Sequence, residues 1–130
     1  MIILDTTFIV DILHGKIDAL AKLSEIEDSE QIICTTSINV LELYKGAYLS
    51  KRLAANLEAV RKIIEALLVI SISDEIYDIF GAISSRLSTE GEPVGDFDEV
   101  IASIVLAHNA SIVTKDEHFR RIEILNIMDY

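Results

Sequence analysis

The sequence predicts an α/β protein with three layers, in which helices cover both faces of a central, mostly parallel sheet of four to five strands. Short apolar runs alternate along the chain with longer segments whose apolar residues recur with a period near 3.6. The short runs do not alternate between apolar and polar residues, which is typical of parallel strands buried on both faces. This succession of strands and helices predicts an α/β/α sandwich.

The size of the chain suits one domain. Its 130 residues contain no linker, repeat or low-complexity stretch, so we expect a single domain over residues 1–130. The mean hydropathy is +0.39, yet no apolar run approaches the roughly 20 residues that cross a bilayer. Asp5 interrupts the apolar N-terminus, which therefore does not resemble a signal peptide. We expect a cytoplasmic protein without a membrane anchor, and the single cysteine, Cys34, is consistent with this because it rules out an internal disulfide.

The charge is strongly acidic, with a net charge of −11 and a pI of about 4.5. This argues against a broad surface that follows nucleic-acid phosphates. It does not exclude a nuclease, because metal ions can bring positive charge to an acidic pocket. It favours basic partners, although part of the charge simply keeps an apolar surface soluble.

The first half of the chain predicts two strands and three helices. Residues 1–4 form the first strand, and Thr6 and Thr7 are the candidate N-cap residues of the helix that follows. A second helix lies near residues 18–27, and the second strand covers residues 31–35. A third helix, capped by Thr36 and Ser37, is expected to bury Val40, Leu41, Tyr44, Ala47 and Tyr48.

The second half repeats the alternation. Its predicted elements are a helix over residues 53–67, a strand over 68–72, a helix over 73–87, a sixth helix after the turn at 91–95, and strands over 111–114 and 124–127. The turn before the sixth helix is rich in Gly and Pro. Asp96 is the preferred N-cap of that helix, with Glu99 three residues later as in a capping box, and Phe97 is expected to face the core.

Four acidic residues are predicted to meet at one end of the sheet. In open sheets of this kind, ligands bind beyond the carboxyl ends of the strands. Asp5 ends the first strand and Asp116 follows the fourth. Asp98 lies in the first turn of the sixth helix, and Glu42 lies in the second turn of the third. Taken singly, each acid also fits a helix cap or a solvated charge, so their convergence depends on the predicted topology.

Such a cluster is costly without a counter-ion. Two like charges about 4 Å apart repel by roughly 4 kcal/mol at an effective dielectric near 20, so either some carboxylates stay protonated or a cation sits among them. Oxygen ligands select Mg²⁺ or Mn²⁺, or Ca²⁺ if the site is large, and no zinc-type cluster of His and Cys is present. Mg²⁺ or Mn²⁺ on carboxylates suits phosphodiester hydrolysis, in which one carboxylate can also act as general base.

The whole chain resembles the PIN-domain ribonucleases, especially the VapC-type toxins of VapBC toxin–antitoxin pairs. Four segments carry the resemblance, in order and at matching separations. They are DTTFIVD at residues 5–11, VLELYKG at 40–46, the stretch 91–103 with DEVIA at 98–102, and VTKDEHF at 113–119.

The resemblance implies an RNA-cleaving site in which Asp5, Glu42, Asp98 and Asp116 bind Mg²⁺ or Mn²⁺. The family often has Asn or Asp at the position of Asp116, which leaves the identity of that ligand open. The resemblance also implies a small antitoxin that places a basic segment among these acids, and a homodimer.

Supporting roles follow from the same resemblance. Thr7 would orient Asp5, Thr114 would stabilise the loop beneath Asp116, and Gly46 would allow close packing behind Glu42. Asp96 is interpreted first as a helix cap, with an outer ligand or a fifth site carboxylate as alternatives.

Two other classes of function stay open, another type of domain on a similar sheet, for which there are two candidates, and a non-enzymatic PIN-like module. A metal-dependent phosphatase on a similar sheet would need a second Asp two residues after the first, where this chain has Thr7. A phosphoacceptor receiver domain would need an Asp at the end of the third strand, where Ser71 and Ser73 stand. The third possibility is a PIN-like binding module without nuclease activity.

Overall fold

Five short parallel strands form the centre of the protein. The computed structural model describes all residues, 1–130. The strands are β1 (Ile2–Leu4), β2 (Ile33–Thr36), β3 (Leu68–Ile70), β4 (Ser111–Val113) and β5 (Asn126–Met128). They are arranged in the order β3-β2-β1-β4-β5, and every neighbouring pair is parallel. The predicted parallel sheet is therefore confirmed.

Six helices and one short 3₁₀ helix surround this sheet. The helices are α1 (Thr6–Leu13), α2 (Ile17–Asp28), α3 (Ser37–Leu49), α4 (Leu53–Glu65), α5 (Ile76–Thr89) and α6 (Asp96–Ala107), and the 3₁₀ helix covers Glu117–Arg121. The predicted elements all occur, with bounds that differ by a few residues. None of the helices is long and apolar enough to span a membrane.

Apolar side chains of the sheet enter two separate cores, one on each face. In β1, Ile3 packs with side chains of α5 and α6, whereas Ile2 and Leu4 pack with side chains of α1, α2 and α4. Successive residues of a strand point to opposite faces, so a strand that is apolar at every position is buried on both sides. The three-layer α/β/α architecture predicted from these apolar runs is confirmed.

The chain adds strands first on one side of β1 and then on the other, so the strand order changes direction at β1. Strands β2 and β3 lie on one side of β1, and strands β4 and β5 lie on the other. Leu4, the last residue of β1, pairs with Val113, the last residue of β4. The residues that follow these two strands, Asp5 and Thr114, therefore emerge side by side where ligands bind in sheets of this type.

The buried face of α3 differs from the predicted one. Ile38, Asn39, Leu43 and Ala47 are buried, whereas Leu41 and Tyr48, which were predicted to be inside, are 56% and 61% exposed. Helix α3 carries two apolar stripes, and only the contacts with the sheet and with α1 decide which one is covered. Phe97, also predicted to face the core, is 52% exposed in the first turn of α6.

Candidate metal and catalytic site

Asp5 is the most firmly held carboxylate at the end of the sheet. It is only 3% exposed and is the N-cap residue of α1, so the predicted caps Thr6 and Thr7 lie inside the helix instead. Its Oδ2 accepts hydrogen bonds from Thr114 (2.7 Å) and Thr7 (3.1 Å), and its Oδ1 accepts one from Asn39 (3.0 Å). Burial raises the pKa of Asp5, and these hydrogen bonds oppose the rise.

Thr7 and Thr114 also hold the loop that leads to Asp116. The amide of Asp116 donates to Oγ1 of Thr114 at 3.0 Å, and the amide of Lys115 donates to Oγ1 of Thr7 at 3.2 Å. The two hydroxyl oxygens are themselves 3.2 Å apart. The loop after β4 is therefore fastened to the start of α1 through the same two side chains that contact Asp5.

Glu42 reaches the site from the second turn of α3. Its Oε1 accepts a 2.7 Å hydrogen bond from Thr6 Oγ1, which in turn accepts one from Asn39 Nδ2 at 3.0 Å. Burial is the main cause that raises the pKa of Glu42, and repulsion from Asp5 and Asp116 raises it further. The hydroxyl of Thr6 therefore links Asn39 to Glu42 and fixes the position of one carboxylate oxygen of Glu42.

Asn39 is the functional residue that the sequence reasoning missed. Its side chain is fully buried and donates to both Asp5 and Thr6. Its Oδ1 also accepts from Thr36, whose hydroxyl oxygen accepts from the Asn39 amide in a capping box. The pattern Thr-x-x-Asn at the start of a helix, one turn before Glu42, was the available signal.

Asp98 comes from α6, and its carboxylate has a strongly raised pKa. It lies in the first turn of the helix and is partly buried. Burial, followed by repulsion from Asp116, Asp5 and Glu42, raises its pKa to about 7. Carboxylates influence one another in this way only when they are near, so Asp116, Asp5 and Glu42 lie in the neighbourhood of Asp98. The group whose ligand atoms lie within 4.8 Å of one another is smaller and includes neither Asp5 nor Glu42.

Asp96 does not cap α6, which corrects the sequence prediction. The N-cap is Gly95 with φ +120°, and Asp96 is the first helical residue, exposed and without a hydrogen bond from its side chain. The buried carboxylate of Glu99 instead accepts from the amides of Val94 and Gly95, both at 3.1 Å. Glu99, the fourth residue of the helix, thus accepts from the N-cap amide as the third residue does in a capping box, while Asp96 lies one position too late to cap.

Gly46 is likewise not placed as expected. A Cβ atom at this position would meet nothing within 4 Å, so Gly46 does not serve close packing behind Glu42. It lines an open groove of about 310 Å³ between α1, α3 and α4, which begins at Thr6 and Glu42 and continues past Val10. The glycine keeps this groove wide instead of letting two elements approach.

No basic side chain of the protein forms an ion pair with Asp5, Glu42 or Asp98. None of the ion pairs of the protein involves these three acids. Lys115 is next to Asp116 in the sequence, but its ammonium group pairs with Asp11 and Asp18 instead. A cluster of oxygen donors with an uncompensated negative charge fits a hard divalent cation such as Mg²⁺ or Mn²⁺. The donor set therefore fits the predicted metal.

His118 stands at the edge of the cluster. Its Nδ1 lies 3.0 Å from Oδ1 of Asp116, and its amide donates to the same oxygen at 2.9 Å. One ligand atom each from Asp98, Asp116 and His118 lie within 4.8 Å of one another. A histidine ring nitrogen thus belongs to the same close group of possible ligand atoms as Asp98 and Asp116.

Comparison with known proteins points to one family of nucleases. A family profile described as PIN domain matches residues 2–125. Ribonuclease VapC1 of Haemophilus influenzae is 26% identical over 129 residues, covering 98% of this chain and 96% of the relative. The tRNA(fMet)-specific endonuclease VapC of Salmonella typhimurium is 28% identical over 128 residues, with 98% and 96% coverage.

A solved structure agrees over the full length. The chain superposes on a chain in the crystal structure of VapBC2 from Rickettsia felis bound to a DNA fragment from their promoter, with a TM-score of 0.90. The two chains are 27% identical, and the match covers 100% of this chain and 99% of that one.

Proposed function

Because the chain belongs to the PIN domain family, we propose that it is a metal-dependent endoribonuclease and the toxin of a type II toxin–antitoxin pair. The observation that carries this proposal is a set of four carboxylates from four different segments, none of which forms an ion pair with a Lys or Arg of the chain. The names of the relatives, ribonuclease and endonuclease, support the same reaction. We propose that residues 1–130 form one catalytic domain, acting in the cytoplasm.

The ligand roles are proposed from the positions of the four acids, and the supporting roles from the hydrogen bonds. Asp5, Glu42, Asp98 and Asp116 are assigned to hold Mg²⁺ or Mn²⁺. When bound, such an ion acidifies a water molecule, orients the scissile phosphate and stabilises the leaving oxygen. Thr7 and Thr114 support the site by orienting Asp5 and the Asp116 loop. Asp96 adds only negative charge at the N-terminal end of α6, near Asp98 in sequence.

The chain's own contribution is preorganisation. Three side-chain donors fix both oxygens of Asp5, and Thr6 fixes one oxygen of Glu42, so these groups do not have to be ordered when substrate arrives. Burial and the neighbouring acids raise the pKa of Asp98 to about 7, and its carboxylate accepts no such hydrogen bond. Asp98 is therefore well placed to accept a proton from the attacking water.

The expected partner is an antitoxin with a basic segment. The superposed structure is of a VapBC complex, and a cluster of carboxylates is a natural receptor for the bidentate guanidinium of Arg. The open groove beside Glu42 and Gly46 leads away from the acids and is lined half by hydrophobic residues, which suits an amphipathic segment of that partner.

A homodimer is also proposed. Leu41, Tyr48, Leu49 and Leu53 are large apolar side chains that remain exposed on α3 and at the start of α4. Large apolar side chains exposed together on one region of a surface are a common feature of protein interfaces. RNA is the proposed substrate, and no membrane association is proposed.

Cleavage assays with a matched pair of variants test the nuclease proposal. Purified protein free of antitoxin is incubated with tRNA and with single-stranded RNA in Mg²⁺, Mn²⁺ or EDTA, beside Asp98→Asn and the exposed control Asp28→Asn. We expect metal-dependent cleavage by the wild type and Asp28→Asn, and a loss of at least 100-fold in Asp98→Asn, within the range for removing one preorganised electrostatic group. Specific metal binding without cleavage of any RNA would favour the binding-module alternative, and equal cleavage by Asp98→Asn would overturn the site assignment.

The phosphatase alternative has a specific structural difficulty. The residue two positions after Asp5 is Thr7, whose hydroxyl donates to Asp5 Oδ2 at 3.1 Å. An alcohol that is already donating to a carboxylate is not a second carboxylic acid available to protonate a leaving group. Phosphate release from a monoester without cleavage of RNA would reverse this preference.

A further inference from the structure

His118 is a potential metal ligand to which the proposed nuclease site gives no role. It lies in the 3₁₀ helix Glu117–Arg121, directly before Phe119, which is fully buried. Because Phe119 anchors this short helix in the core, the neighbouring side chain of His118 is held at the surface, where it is 55% exposed. The imidazole is thus accessible to an ion and yet fixed to the rim of the site.

Two contacts determine where the imidazole lies. The His118 amide donates to Oδ1 of Asp116 at 2.9 Å, which fixes the turn between the two residues. The ring Nδ1 lies 3.0 Å from the same oxygen. The position of His118 is therefore set by the backbone as well as by the side chain.

The spacing of the three ligand atoms is close to what a shared ion requires. One ligand atom each from Asp98, Asp116 and His118 lie within 4.8 Å of one another. Ligand atoms at about 2.1 Å from a single ion lie at most about 4.2 Å apart. A closure of no more than a few tenths of an ångström would let all three atoms contact one ion, which is within the adjustment of an exposed side chain.

We propose, on the basis of the metal-dependent function above, that His118 supplies a nitrogen ligand to the ion held by Asp98 and Asp116, and that this makes the site selective for Mn²⁺ over Mg²⁺. Mg²⁺ strongly prefers oxygen ligands and retains its waters, whereas neutral imidazole binds transition metals well. Coordination through Nδ1 uses the neutral tautomer of the ring, with its proton on Nε2.

A competing role would leave His118 outside the coordination sphere. In that case Nδ1 carries a proton and donates it to Asp116, so that the imidazole only orients the carboxylate. The two roles differ in one measurable property, the presence of a nitrogen atom directly bound to the metal.

Pulsed electron paramagnetic resonance of bound Mn²⁺ makes this distinction without any activity assay. Mn²⁺ is loaded into the wild type, His118→Gln, His14→Gln and His108→Gln, so that each of the three histidines of the chain is removed in turn. We expect ¹⁴N coupling from a directly bound imidazole in the wild type, His14→Gln and His108→Gln. In His118→Gln we expect bound Mn²⁺ without that coupling.

Calorimetric titration measures the selectivity itself. We expect the ratio of Mn²⁺ to Mg²⁺ affinity to fall by roughly tenfold or more in His118→Gln, the lower end of the effect of changing a ligand environment, with little change in the Mg²⁺ affinity. The control variants should keep the wild-type ratio. An unchanged ratio in His118→Gln would overturn the proposal.

The outcomes separate this proposal from the one on which it rests. Wild-type protein that binds Mn²⁺ without ¹⁴N coupling would overturn the role of His118 and leave the carboxylate site intact. Wild-type protein that binds neither Mn²⁺ nor Mg²⁺ would overturn both. Because His118 is exposed and its neighbour Phe119 holds the helix, the substitution is not expected to unfold the protein.

Discussion

The phenol hydroxyl of Tyr130 donates a 2.8 Å hydrogen bond to the carboxylate of Asp11, 119 positions earlier in the chain. Asp11 is also paired with Lys16 at 3.3 Å and with Lys115 at 3.4 Å. The ammonium of Lys115 lies 4.4 Å from the centre of the Tyr130 ring. Since Lys115 immediately precedes Asp116, this group of side chains, which we call the Tyr130 clasp, attaches the loop after β4 to α1 at a second point.

Removing the phenol hydroxyl tests the clasp. In Tyr130→Phe the packing of the ring on Phe8, with centroids 4.6 Å apart, is kept while Asp11 loses one donor. We expect a loss of about 1 kcal/mol in the free energy of unfolding, the usual net value of one hydrogen bond, as measured by urea denaturation. Tyr77→Phe, on a side chain that is 62% exposed, is the control and should be neutral. Equal effects of the two substitutions would show that the hydroxyl of Tyr130 does not stabilise the fold.

The pH dependence of stability should report Asp98. Burial and the neighbouring acids raise its pKa to about 7, above its value of about 3.9 in the unfolded chain. Between these values the folded state holds a proton that the unfolded state has lost, so the stability of the metal-free protein falls as the pH rises from about 4 to about 7. We expect the free energy of unfolding of Asp98→Asn to fall less with pH than that of the wild type, and to be the higher of the two at pH 8. Urea denaturation in the presence of EDTA measures both.

The control for this experiment is Asp28→Asn, in which an exposed acid at the end of α2 is replaced. It removes the same charge without entering the site, so it should keep the wild-type dependence on pH. If the free energy of unfolding of the wild type, Asp98→Asn and Asp28→Asn fell equally as the pH rises, the repulsion at Asp98 would have to be relieved in some other way.

Metal binding should reverse the instability caused by the acids. A ligand that binds only the folded state stabilises it by about 2.7 kcal/mol at a concentration 100 times its dissociation constant. We expect Mn²⁺ and Mg²⁺ to raise the melting temperature of the wild type at pH 8 relative to EDTA. Asp98→Asn should show a much smaller rise, because it lacks one carboxylate and its repulsion. A rise of the same size in Asp98→Asn would place the bound ion elsewhere.

Asn39 should matter for both stability and activity. Asn39→Ala removes the capping box with Thr36 and leaves Asp5 Oδ1 and Thr6 without their donor. We expect a loss of about 2–4 kcal/mol in the free energy of unfolding, the combined range for a cap and a buried unsatisfied group, and a drop in RNA cleavage measured on the folded fraction. The control Asn56→Ala, at an exposed position of α4, should change neither the stability nor the cleavage. If Asn39→Ala also changed neither, Thr7 and Thr114 would be sufficient to hold Asp5.

The apolar surface of α3 gives a test of the proposed homodimer. Tyr48→Glu places a charge within the exposed apolar group formed with Leu41 and Leu49, whereas Tyr77→Glu changes an equally exposed tyrosine on α5. We expect light scattering to give a dimer mass for the wild type and Tyr77→Glu, and a monomer mass for Tyr48→Glu, since desolvating a charge in an apolar interface is strongly unfavourable. A monomeric wild type would remove the dimer from the proposal.

The amino-acid sequence determined the architecture and the end of the sheet at which the acids meet. Strands that are apolar at every position require cover on both faces, and this single fact leads to the parallel three-layer fold. Once the strands are parallel, Asp5 and Asp116, which follow β1 and β4, must leave the sheet at the same edge. The positions of Glu42 and Asp98 near helix starts then follow from the alternation of strands and helices.

Only the tertiary structure decided which polar groups hold these acids. Asn39, Thr6 and Glu42 form a chain of hydrogen bonds because α3 presents one of two possible faces to α1, and helical periodicity fits both faces equally well. The choice between Asp96 and Glu99 as the acceptor at the start of α6 depended on the path of the preceding loop. The approach of Tyr130 to Asp11 joins the two ends of the chain. Contacts between residues so far apart in sequence leave no periodic signal, because they exist only once the sheet has brought their elements together.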